Sequence, residues 1–202
     1  MKSIVQSIPG YRINEYMVIL NPPQELRERI GLLKKEFAET YKTSLNNVGK
    51  SHIMLAGFTQ YAMMEERLLS RLRTIAMGHK PFKMELKDFG AYPTHSLYIN
   101  VKTKEPVRNL VKELKGFQQL MTLNKDHKPH FPDDPQISIA RKLLPWHFEK
   151  GWQVYTHRHF TGRFIADNMM LLKRRQGELP WQIAERFEFK NLPVLTRQGE
   201  LF

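Results

Sequence analysis

Apolar and polar positions alternate along the chain with two different periods. YMVILNPP (Tyr16 to Pro23) is a short apolar run stopped by two prolines, the pattern of a buried strand handing over to a helix with proline at its start. From Gln24 to Tyr41 the period becomes helical, with Leu26, Ile30, Leu33 and Phe37 on one face and charged residues on the other. KTSLNNVGK is polar and turn-rich, so it reads as a loop, and SHIMLAGF (Ser51 to Phe58) reads as a strand. A second helix is expected over Met63 to Met77, with Leu68, Leu69, Leu72 and Ile75 as its apolar stripe. FKMELKDFG and SLYINVK alternate apolar and polar residues, as an antiparallel pair would. A third helix from Pro106 to Leu120 carries Val107, Leu110, Val111 and Leu114, and LNKDHKPHFPDDP follows as a long loop. QISIARKL (Gln136 to Leu143) is again a strand, and a short helix is expected from Pro145. FTGRFIADNMMLLKRR and WQIAERFEFK close the chain as strands around a glycine-containing turn.

The order strand, helix, strand, helix, strand, strand then partly repeats, which predicts an α+β fold of two similar lobes. No linker rich in Gly or Ser divides the 202 residues, so residues 1–202 are expected to form a single two-lobed domain. There is no cysteine, which removes disulfide frameworks, thiolate metal sites and cysteine nucleophiles, and fits a reducing compartment. No stretch has the length of a signal peptide's apolar core or of a membrane span, so a cytoplasmic protein without membrane attachment is expected. Charge adds the first functional hint. The 32 Lys and Arg outnumber 20 Asp and Glu for a net charge of +12, a field that attracts phosphate-bearing polyanions.

Two strands match each other in pattern. His52-Ile53-Met54-Leu55 and Gln136-Ile137-Ser138-Ile139 each place candidate functional side chains two residues apart, on one face. Ile53, Leu55, Ile137 and Ile139 would then point into the core. Positions 52 and 136 are 84 residues apart.

On these residues the chain resembles the two-histidine phosphoesterase superfamily, in particular its LigT-like cyclic phosphodiesterases, often labelled 2′-5′ RNA ligases. That family carries two His-x-Thr/Ser strand motifs, one per lobe. SHIML and PQISIAR stand in those places, and YMVILNPP, the pair FKMELKDFG and LYINVK, the IAR tail and MMLLKRR follow in the family's order. The resemblance implies two pseudo-symmetric lobes, each an antiparallel sheet with helices on its outer face, around a central cleft. It implies acid–base chemistry at a phosphodiester by two histidines, with the paired hydroxyls binding phosphate oxygens. No metal or organic cofactor is implied, and the partner would be RNA or a nucleotide bearing a phosphate ester, bound by a monomer.

The sequence departs from that pattern twice. Met54 stands where the first hydroxyl belongs, and Gln136 where the second histidine belongs. Glutamine exchanges hydrogen bonds but transfers no proton at neutral pH. His52 and Ser138 remain as the catalytic candidates, with Gln136, Arg141, Met54 and His130 as candidate substrate-binding residues. Three readings stay open: binding with weak or no turnover, a substitute histidine (His130, His127 or His95), or catalysis by His52 alone. The leading function is a cyclic phosphodiesterase-like protein for 2′,3′-cyclic phosphate or 2′-5′ linked ends. The alternative is a non-catalytic RNA- or nucleotide-binding module in the same basic cleft.

Other features read more plainly. Met54 would make the cleft floor apolar. Arg141 could meet substrate phosphate or pair with a surface acid. His157 and His159 lack a third ligand for a metal, and Lys173-Arg174-Arg175 reads as a solvated turn. Tyr92, Tyr98, Trp146, Trp152 and Phe160 read mainly as core, with one or two available to stack on a base. GKS at Gly49 to Ser51 lacks the upstream glycine of a phosphate loop, which excludes a nucleotide triphosphatase.

Overall fold

The computed structural model describes residues 9–43, 51–178 and 180–193. The loop expected over 42–50 therefore lies mostly outside the described residues. Eight strands form two four-stranded antiparallel sheets. The first has the order β2-β1-β7-β8, from β1 (Ile13–Leu20), β2 (Ile53–Tyr61), β7 (Asn168–Arg175) and β8 (Gln182–Glu188). The second has the order β5-β4-β3-β6, from β3 (Phe82–Tyr92), β4 (Ser96–Val101), β5 (Gln136–Ala140) and β6 (Thr161–Ala166). The two motif strands, β2 and β5, occupy equivalent edges of their sheets and approach one another. The expected α+β fold of two related lobes is what the structure has.

The helices are α1 (Gln24–Thr40), α2 (Glu65–Gly78), α3 (Glu105–Lys115), the single turn α4 (Gln118–Met121) and α5 (Pro145–Tyr155). Proline sets three helix starts: Pro23 precedes α1, and Pro106 and Pro145 lie in the first turns of α3 and α5, where no helical N–H is needed. The third helix is shorter than the apolar spacing suggested. It stops at Gly116, and α4 resumes one turn on.

Each helix covers a sheet by its apolar stripe. Leu26, Ile30 and Phe37 of α1 are buried, yet α1 packs on β5 of the second sheet although it follows a strand of the first. In the other direction, α3 follows β4 of the second sheet and packs on β2 of the first. This exchange makes one continuous core, with Val18, Leu20, Ile53 and Leu55 from the first sheet and Leu97, Ile99, Ile137 and Ile139 from the second. All eight are fully buried, so the inward face expected for both motif strands is confirmed. The chain returns between sheets at Asp167, which alone separates β6 from β7.

Gly151 of α5 leaves room for a ring of α1. A Cβ on Gly151 would lie 2.7 and 3.0 Å from two ring carbons of Phe37 and 3.3 Å from Leu97 Cδ1. Phe37 is fully buried and also packs edge-on to Tyr155, with ring centroids 5.4 Å apart. Among the described residues, no helix is long and apolar enough to cross a membrane.

Lys34 is buried on α1, and this burial, with the charge of Arg141 added to it, pushes its ammonium down to about 7. In the unfolded chain the same group keeps its proton to roughly pH 10.4. Between these values the unfolded state binds more protons, so folding becomes more favourable as pH rises. Thermal unfolding from pH 7 to 9 should therefore show wild type gaining stability relative to Lys34→Met, by up to about 1.4 kcal/mol per pH unit. Parallel curves would refute it. Gly151→Ala should destabilise by about 1–3 kcal/mol in chemical denaturation, because overpacking against Phe37 outweighs the better helix propensity of alanine.

Candidate active site

On the second sheet, Gln136 and Ser138 lie half-buried on the face of β5 away from the core. Across the ladder, Gln136 faces Asn100 and Ser138 faces Tyr98 on β4, and Tyr98 in turn faces Gly90 on β3. Residues directly opposite in an antiparallel pair share a face, so these five form one surface. Gly90 sets its shape. A Cβ there would fall 2.5 and 2.7 Å from Tyr98 ring carbons and 2.8 Å from Asn100 Oδ1, so both side chains lean across residue 90. That lean carries them away from β5. Gln136 Oε1 and Ser138 Oγ are buried without a hydrogen-bond partner among the described residues. An unsatisfied buried polar atom costs about 1–3 kcal/mol, so two on one strand face are a local cost to stability.

On the first sheet, β2 begins at Ile53, so His52 stands one residue before the strand. It is half-buried and borders a recess of about 370 Å³, with Asn21 and Arg27 on one side and Ile19, Met170, Leu172 and Ile183 on the other. None of the residues lining that recess comes from β5. Ile19, Met170 and Leu172 form a second small apolar cluster, with Met17 and Trp181 packed against it. Met54 lies directly opposite Ile19 on the ladder. A β-bulge between Val18 and Ile19 lets Leu55 and Ala56 both face the core, which returns Gly57 to the side of Met54.

His130 enters the same surface by its backbone. It exchanges two 2.8 Å hydrogen bonds with Gly57, pairing the long loop to the edge of β2. This pairing puts His130 on the Met54 side of the first sheet, with its side chain exposed. Gln60 holds the base of that loop, donating from Nε2 to the carbonyls of Leu120 and Thr122 at 2.9 and 3.2 Å. His127 is engaged elsewhere: it is exposed and lies 2.9 Å from Asn124 within its own turn. His95 stacks on Tyr92, with centroids 6.3 Å apart. Arg141 is exposed just past β5 and has no acidic partner among the described residues.

Several readings need correction. Lys173, Arg174 and Arg175 are not a solvated turn but the end of β7. They pair with Glu65, Glu15 and Glu178 respectively, so their charge is spent within the fold. Tyr92 and Trp146, expected as core, are 41% and 55% exposed. Tyr98 is half-buried beside Tyr92, ring centroids 5.0 Å apart, and burial, Tyr92 and Asp134 together raise its phenol pKa. His159 pairs with Asp88 at 3.2 Å, and no group of three or more His, Asp or Glu among the described residues could hold a metal ion.

Sequence reasoning missed Asn100, Gly90, Asn21 and Arg27. Alternation along SLYINVK put Asn100 on the side of Tyr98, a signal that was available. Nothing local marked Gly90 as a contact point, or brought Asn21 and Arg27 to His52.

The fold agrees with those of known proteins. The family model of the 2′-5′ RNA ligase superfamily matches residues 22–178. Solved structures of the same fold include E. coli LigT complexed with 3′-AMP, 15% identical, covering 88% of this chain and 98% of that one with a TM-score of 0.64. E. coli LigT in apo form is 16% identical with the same coverage and a TM-score of 0.62. TT0787 of Thermus thermophilus is 14% identical over 87% of this chain and 98% of that one, with a TM-score of 0.59. At such identities the likeness is one of fold. No curated protein matches. With a family match that takes in both motif strands and the elements around them, the chain belongs to the 2′-5′ RNA ligase superfamily.

Proposed function

We propose that the protein binds a nucleotide phosphoester, a 2′,3′-cyclic phosphate or a 2′-5′ linked end, and hydrolyses it slowly with His52 as its proton-transferring group. The observation that carries this reading is the pair of orphaned atoms, Gln136 Oε1 and Ser138 Oγ, on one face of β5. Both atoms are buried in the free protein, so the ligand reaches them once neighbouring side chains move. A phosphate oxygen then accepts from the Ser138 hydroxyl, and a ribose hydroxyl donates to Gln136 Oε1. Arg141 and Arg27 supply positive charge at the two ends. The family match supports a phosphoesterase-type activity, and E. coli LigT has been solved with 3′-AMP, with ATP and with phosphate.

In hydrolysis of a cyclic diester, water adds to phosphorus, the bond to one ribose oxygen breaks, and that oxygen gains a proton. His52 assists one of the two proton transfers. Gln136 contributes hydrogen bonds to the other but no proton, so solvent must supply it. Each lost acid–base group removes roughly 10²–10⁴-fold in rate, hence slow turnover. The competing reading, a cleft that only binds, is favoured by Gln136 itself.

Hydrolysis of the four 2′,3′-cyclic nucleotides, and of a short RNA ending in a 2′,3′-cyclic phosphate, separates the two. His52→Ala should lower turnover by about 10²-fold or more, and Gln136→His should raise it. Turnover that appears only with Gln136→His would establish the binding-only reading. No turnover and no nucleotide binding by any variant would remove both. The pH dependence of kcat/KM should show a single limb in wild type and become bell-shaped in Gln136→His, since two titrating groups are needed for a bell. Gly90→Ala should push Tyr98 and Asn100 back over β5 and weaken nucleotide binding about tenfold, read by titration calorimetry. Unchanged affinity would show that the lean over Gly90 is irrelevant to the site.

A further inference from the structure

A second recess, of about 210 Å³, lies between α3 and the segment 132–135. Its floor is apolar, from Met54, Val107 and Val111, with Pro132 and Pro135 on the loop side. Its position is informative. Met54 belongs to the first motif and Pro135 immediately precedes Gln136, so the recess lies against the starts of both motif strands.

Its rim is cationic, and the cations differ in what they do. Arg108 donates to Asp134 at 2.8 Å and to Glu105 at 3.2 Å, and Lys104 donates to Asp134 at 3.1 Å. Lys104 and then Arg108 hold the Asp134 carboxyl below the usual range, so that acid is saturated. Lys112 and Lys115 lie one and two turns further along the same helix face. Neither has an ion-pair partner among the described residues, and Lys115 sits over the Phe131 ring at 5.6 Å. The rim's acid, Asp133, is on the loop side, which leaves the helix side as the place for an anion.

We propose that this recess receives the nucleotide adjoining the reacting end of a single-stranded RNA, with its sugar and base against Met54 and Val111 and its phosphate on Lys112 and Lys115. The inference rests on the reading of the motif surface as a nucleotide phosphoester site. It makes an oligonucleotide, not a mononucleotide, the preferred ligand. Single-strand binders track phosphates with a cationic groove and stack bases on aromatic rings. Here the cationic rim is present, and the base meets the aliphatic Met54 and Val111 in place of a ring.

The test compares wild type with the double variant Lys112→Gln/Lys115→Gln, using the full chain. Binding is measured for a short RNA ending in a 2′,3′-cyclic phosphate and for the matching cyclic mononucleotide, over a range of salt. Both lysines are exposed, and thermal melting checks that the variant remains folded. The expected result is about tenfold weaker RNA binding at low salt. The slope of log affinity against log salt should become shallower by about 0.7 per lysine removed, with mononucleotide binding unchanged. Unchanged RNA binding, or equal loss of both ligands, would overturn the proposal. So would a wild type that binds RNA no more tightly than the mononucleotide, while leaving the motif surface as a nucleotide site. If wild type binds neither ligand, the reading of the motif surface falls and takes this inference with it.

Discussion

Phe37 fills a space that exists because residue 151 has no side chain. This contact seats α1 beneath a sheet to which its own preceding strand does not belong. With α3 packed on β2 in the opposite direction, the two lobes share one core in place of two. A core assembled from both sheets fixes where β2 and β5 approach, and therefore where the two motifs stand. Packing at interior density leaves little slack around Phe37.

The motif surface is divided by chemistry as well as by lobe. The first sheet offers an apolar wall, with Ile19, Met170 and Leu172 beside His52 and Met54 against Val107 and Val111. The second offers Gln136, Ser138, Tyr98 and Asn100, polar groups from which two atoms remain unsatisfied. Methionine at position 54 suits the first wall, and a hydroxyl there would be set among aliphatic groups. Glutamine at 136 stands across the ladder from Asn100, on the polar face of the second sheet. The two departures from the two-histidine pattern are therefore consistent with the surfaces that surround them. A ligand with one apolar and one polar side, such as a nucleotide, matches both walls.

The excess positive charge is unevenly engaged. The basic run at the end of β7 is paired with Glu65, Glu15 and Glu178, although in sequence it looks like the more obvious anion site. Lys112, Lys115 and Arg141, scattered in sequence, have no acidic partners among the described residues. Net charge indicates that a field exists. Only the pairing in three dimensions shows which cations remain to act on a ligand.

Most of the elements were legible in the sequence because each rests on short-range periodicity. The stripe Leu26, Ile30, Phe37 gave α1, and alternation in FKMELKDFG and SLYINVK gave β3 and β4. The spacing of HIM and QIS placed Ile53, Leu55, Ile137 and Ile139 inward, as the structure has them. The family resemblance supplied the two-lobed arrangement, which periodicity alone could only suggest. What the sequence could not carry was anything that depends on residues far apart meeting. β6 and β7 are separated by one residue yet belong to different sheets, and only the shared core decides that. Gly90 matters because Tyr98 and Asn100 lean across it, and His130 because the loop pairs with Gly57 at the edge of β2. The sequence by itself determined the elements and the inventory of candidate groups, since local sterics and periodicity set these. Tertiary packing decided which groups share a surface and which polar atoms are left without partners, since both depend on burial by residues distant along the chain.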